Sequence, residues 1–64
     1  MQTDVQKRVV NVLLVEDHPM FRERLASVIE KRGDMRVCGE ANNVQQALEM
    51  VEKLNPDIAI VDIT

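Results

Sequence analysis

Three short apolar runs, separated by two stretches of helical periodicity, leave this 64-residue chain few ways to fold. Val9-Val10-Asn11-Val12-Leu13-Leu14-Val15 is rich in β-branched residues and almost continuously apolar. Such a run suits a strand covered on both faces, as in a parallel sheet. It stops at Glu16-Asp17-His18-Pro19. Proline is accommodated in the first turn of a helix and not in its interior, so helix 1 begins about there. Phe21, Leu25, Val28 and Ile29 then form one apolar stripe, with Arg22, Glu23, Arg24, Glu30 and Lys31 taking much of the remaining surface. Gly33 after Lys31-Arg32 marks the stop, with cations near the negative end of the helix dipole.

Met35 to Glu40 is a second, weaker strand, whose polar content suggests a sheet edge. Asn43 is a good N-cap for helix 2, and Gln46 is spaced to complete a capping box. Val44, Ala47, Leu48, Val51 and Leu54 make that helix's stripe, and Asn55-Pro56-Asp57 breaks it. Ile58-Ala59-Ile60-Val61 is the third strand and runs into Asp62. The order β-α-β-α-β with short connections predicts an α/β fold with parallel strands and right-handed crossovers. Residues 1–8 read as a polar tail and residues 9–64 as the folded unit.

Composition narrows the function. A domain this small buries only about 60% of the surface its unfolded chain exposes, and no staple is visible. Cys38 is the single cysteine, so no internal disulfide forms, and it reads as small apolar filler. A formal charge of −3 argues against gripping a phosphate backbone, so no direct nucleic-acid binding is expected. No apolar run approaches the ~18 residues of a membrane span, and Met1 to Arg8 lacks a signal-peptide core. The expectation is a cytoplasmic protein.

The chemistry-bearing residues stand at strand ends. In a parallel sheet the carboxyl ends of the strands share one edge, and ligands bind where the strand order reverses. Strand 1 ends in Glu16-Asp17 and strand 3 in Asp62, so neighbouring strands would bring three carboxylates within a few ångströms. Such a cluster repels itself unless a cation is present, and an oxygen-rich set suits Mg²⁺, which takes one or two carboxylates and keeps several waters. Its most economical use is to hold the cation beside a carboxylate that attacks phosphorus. A plainer use exists, because Asp17 is placed to cap helix 1. A mononucleotide site is disfavoured: the turn after strand 1 carries two acids and no glycine.

These residues resemble a known family. Val12-Leu13-Leu14-Val15-Glu16-Asp17-His18-Pro19-Met20-Phe21-Arg22 is similar to the opening of response-regulator receiver domains, and Asp-His-Pro-x-Phe-Arg points to the NarL/FixJ-type subfamily of transcription regulators. Glu40-Ala41-Asn42-Asn43 with Gln46-Ala47-Leu48, and Asn55 through Ile63, resemble later stretches of the same domain. The resemblance implies half of a flavodoxin-like doubly wound sheet in strand order 2-1-3. It implies that Asp62 is the phosphoacceptor of a histidine kinase, that Asp17 binds Mg²⁺ directly, and that Glu16 acts on it mainly through water. The metal's carbonyl ligand would come from Thr64, and Asp62 would complete the set. Glu16 stands where many members have aspartate, and Val44 where glycine is common. His18 belongs to the motif, yet a lone solvent-facing histidine is the preferred reading of it.

Family members continue through a fourth strand ending in Ser or Thr and a fifth ending in Lys. Neither has a counterpart among the 64 residues, and Lys7, Lys31 and Lys53 match no such position. The expectation is therefore the N-terminal half of a receiver, cut after strand 3, without full switching activity. The alternative is a freestanding half-receiver module that pairs with itself or with a full receiver, without phosphorylation. On either reading strand 3 has an unpaired apolar edge, which predicts a homo-oligomer. An independent enzyme has little support, since no nucleophile–base pair or cofactor fingerprint is visible.

Overall fold

In the computed structural model, which describes residues 8–62, the five predicted elements form in the predicted order. They are β1 (Val10–Glu16), α1 (Pro19–Lys31), β2 (Met35–Ala41), α2 (Val44–Leu54) and β3 (Ile58–Asp62). The strands make one parallel sheet in the order β2-β1-β3, the expected half of a doubly wound fold. Most of the polar tail, residues 1–7, lies outside the described residues, as do Ile63 and Thr64.

β1 is the central strand, and Val12, Leu13, Leu14 and Val15 are all buried. Burying each is worth roughly 1.5–3 kcal/mol relative to leaving it in water. The two helices contact β1 and β2 but not each other, so they cover opposite faces. Leu13 and Val15 pack with Ala41, Ala47 and Met50 beneath α2. Side chains alternate along a strand, which turns Val12 and Leu14 to the other face, on the side of α1 and its buried Ile29. Between Val12 and Leu13 the register with β2 shifts by one, leaving Cys38 without a partner across β1.

The helix ends explain their own positions. Pro19 opens α1, and Gly33 beyond its C-terminus takes φ +83, a left-handed turn that glycine permits. Arg32 pairs with Asp34 there (Nε–Oδ1 3.0 Å), whose hydrogen bond and charge raise the guanidinium pKa above its ordinary value. At α2, Asn43 Oδ1 accepts from the Gln46 amide (2.9 Å). Gln46 Oε1 returns the bond to the Asn42 amide (2.8 Å), one residue earlier than a standard capping box. Asn55 ends α2 in the left-handed region at φ 50, ψ 57.

The apolar stripes need correcting. Of the α1 stripe only Ile29 is buried, while Val28 is 61% exposed. On α2, Ala47 is buried but Val44, Leu48, Val51 and Leu54 are exposed. The reason is geometric: both helices sit over the β1–β2 half of the sheet, and neither packs on β3. β3 is accordingly open on its faces, with Ile58 exposed and Val61 at 61%.

Candidate functional site

The site begins at the far end of the sheet. Asp57, just before β3, donates its amide to Asn11 O (2.8 Å), and its Oδ2 accepts from the Asn11 amide (2.7 Å). This two-way link holds β3 in the register that pairs Val12 with Ile58 and continues to Glu16 opposite Asp62. The carboxyl ends of β1 and β3 therefore bring one acid from each strand level.

Glu16 is the buried member, its side chain 3% exposed. Its Oε2 accepts from the His18 amide (2.9 Å), which satisfies one donor at the start of α1. Its Oε1 is buried and has no hydrogen-bond partner among the described residues. Buried acceptors are normally paired, so this atom marks a place where a cation or donor would fit. Asp17 and His18 are both exposed. One ligand atom from each of Glu16, Asp17 and His18 lies within 4.8 Å of the others. His18 is the N-cap of α1 by position, with no side-chain bond to the helix, and no capping bond from Asp17 is formed.

Asp62 does not join the close ligand cluster, although its backbone is level with Glu16. Like charges at short range repel, and the exposed Asp62 side chain is free to turn to water. His18 does face solvent, at 73% exposure, and also has Nδ1 3.8 Å from Glu16 Oε2. The Thr64 carbonyl falls outside the described residues.

Arg22, which the sequence offers as helix surface and as the end of the Asp-His-Pro-x-Phe-Arg stretch, is largely covered and tied to other segments. Its side chain is 19% exposed, with Nη1 donating to Glu16 O (2.9 Å) and to Asn42 Oδ1, and Nε to Glu40 Oε1 (3.1 Å). One guanidinium thus joins the ends of β1 and β2 and the β2–α2 connection. No periodicity signals such a role, because all three acceptors come from outside its helix.

The donor set fits Mg²⁺: the carboxylates of Glu16 and Asp17, with an orphaned buried oxygen among them, and the backbone of a third acid, Asp62, level with Glu16. Such an edge offers oxygen ligands of the kind that suit a divalent cation.

Comparison with known proteins agrees with this geometry. The profile of the response regulator receiver domain matches residues 12–64. The nitrate/nitrite response regulator protein NarL of Escherichia coli (strain K12) is 40% identical over 52 residues, 81% of this chain and 24% of that protein. A protein-glutamate methylesterase/protein-glutamine glutaminase of Pseudoalteromonas atlantica is 42% identical over 52 residues, 81% of this chain and 14% of its own. The transcriptional regulatory protein DegU of Brevibacillus brevis is 29% identical over 63 residues, 98% of this chain and 27% of its own. The chain thus spans about a quarter or less of the length of these relatives.

Proposed function

The chain belongs to the response regulator receiver domain family, and from that membership we propose that Asp62 is its phosphoacceptor. The observation that carries this is the pairing of Asp62 with Glu16 at the sheet edge, beside a buried carboxylate oxygen that lacks a partner. A carboxylate oxygen of Asp62 attacks the phosphorus of a phosphohistidine on a histidine kinase. The P–N bond breaks, the imidazole leaves with the electron pair, and an aspartyl phosphate remains. Asp17 and Glu16, with Asp62 and the Thr64 carbonyl, would hold Mg²⁺, which when bound offsets the negative charge of the phosphoryl oxygens. Glu16 contributes a fixed, buried acceptor, and Asp17 an exposed one reachable from solvent.

The relatives support a receiver role and not an output role. Their names denote a nitrate/nitrite response regulator, a transcriptional regulatory protein and a methylesterase/glutaminase, yet all share this segment. What is common to them is the receiver segment, which supports a receiver role for these residues. The 64 residues themselves are proposed to bind no nucleic acid, in keeping with their formal charge of −3.

Titration with Mn²⁺ as a paramagnetic substitute for Mg²⁺ tests the metal set. Uptake by the wild type that is lost in Asp17→Ala and Asp62→Ala supports it. Equal uptake in all three chains rejects it.

A second reading is favoured by one observation: among the described residues β3 pairs only with β1, and no helix packs on it. A second copy of the chain can add its own β3 there. Antiparallel pairing about Ile60 sets Asp62 opposite Ile58 of the second copy, so no two carboxylates stand directly across. This self-pairing module needs no phosphorylation. A folded monomer by light scattering at micromolar concentration contradicts it.

A further inference from the structure

We infer that Arg22 is a positioning residue that sets the aim of the Glu16–Asp17 pair, an inference that rests on reading this pair as cation ligands. Arg22 lies in the first turn of α1, its amide bonded to His18 O (2.8 Å). Its guanidinium bonds to the carbonyl of Glu16 and so holds the peptide joining Glu16 to Asp17. On the other side of Asp17, the His18 amide is held by Glu16 Oε2. Asp17 therefore stands between two pinned points, which fix the direction in which its side chain leaves the backbone.

The remaining contacts say why the residue is arginine. Nε binds Glu40 Oε1 and Nη1 also binds Asn42 Oδ1, so the fork is fixed by acceptors at the end of β2 and just beyond it. A planar guanidinium meets acceptors in several fixed directions, whereas a lysine ammonium is a point charge on a flexible stem. Glu40 takes up part of the positive charge, so the guanidinium reaches the acidic edge as a hydrogen-bond donor that is already occupied. It bonds to the Glu16 backbone, and neither carboxylate of the pair is among its hydrogen-bond partners among the described residues.

The test compares wild type with Arg22→Lys and Arg22→Gln, all as the full chain. Mn²⁺ affinity is read by water-proton relaxation, and order of the Asp17 and His18 amides by ¹⁵N relaxation without metal. The expected result is a roughly tenfold loss of Mn²⁺ affinity in Arg22→Lys, the size seen when groups that orient metal ligands are altered. The two amides should lose order in the same variant, while far-UV circular dichroism still reports the fold. Arg22→Lys binding like wild type while Arg22→Gln binds weakly means that charge alone matters, which overturns the positioning role. Unchanged amide order in Arg22→Lys overturns it too. If Arg22→Lys does not fold, Asn42→Ala removes one anchor outside any helix or strand and is read the same way, with a smaller loss. A wild type that takes up no Mn²⁺ overturns the metal reading, and the positioning role with it. Wild-type uptake unaffected by the variants overturns the positioning role alone.

Discussion

Glu16 and Asp62 stand opposite each other as the last register pair of two parallel strands, one buried and one exposed. Their partnership is prepared at the other end of the same strands, where Asp57 is linked to Asn11 through both backbone and side chain. Both pairs share one register offset, so whatever loosens the first disturbs the second.

Asp57→Ala removes the side-chain half of that link. The expected cost is about 1 kcal/mol, the usual net worth of one hydrogen bond, read as a lower urea midpoint. Asp57→Asn keeps an acceptor oxygen and should lose less. Equal losses in the two variants would show that the carboxylate charge, and not the bond, secures β3.

Glu16→Gln is expected to stabilise the metal-free chain while weakening metal binding. The amide oxygen can still accept from His18, and a buried charge with an unpartnered oxygen is removed. A gain of about 1 kcal/mol would raise the melting temperature by roughly 4–8 °C in a domain of this size. A fall in melting temperature without metal would contradict this account of Glu16.

Gly39 sets how closely α2 approaches the sheet. A Cβ there would lie 2.7 Å from Leu54 Cδ1, and 3.4 Å from both Leu13 Cδ1 and Met50 Sδ. Leu54 is exposed and can swing aside, so Gly39→Ala should cost less than about 1 kcal/mol. Gly39→Val adds bulk against Leu13 and Met50 and should cost about 1–3 kcal/mol, the ordinary penalty of overpacking. Thermal melts of the two variants order these costs.

Val61→Lys tests the open β3 surface. Val61 is exposed, and a lysine there places charge on the strand proposed to meet a second copy. Light scattering should show a smaller species than wild type at the same concentration. An unchanged mass would place any self-association elsewhere.

The parts of this molecule that were legible in the residues are those governed by local rules. Continuous apolar runs marked β1 and β3, Pro19 marked the start of α1, and Asn55-Pro56 marked the end of α2 in a left-handed residue. The strand order 2-1-3 came from the family resemblance, with the polar character of β2 agreeing with its place at a sheet edge. The misread parts depend on what lies across the fold. The stripes of α1 and α2 are apolar by sequence, but Val28 and Leu48 stay exposed because nothing packs there among the described residues. Arg22 looked like solvated surface because its three acceptors lie in other segments. The skipped register at Cys38 has no local signature in the chain.

The central claim is that Asp62 accepts a phosphoryl group, and mass spectrometry after incubation with acetyl phosphate and Mg²⁺ tests it most directly. The account predicts a gain of one phosphoryl group on wild type, lost on treatment with hydroxylamine, and no gain on Asp62→Asn. A wild type that stays unmodified, or an equal gain on Asp62→Asn, would contradict it.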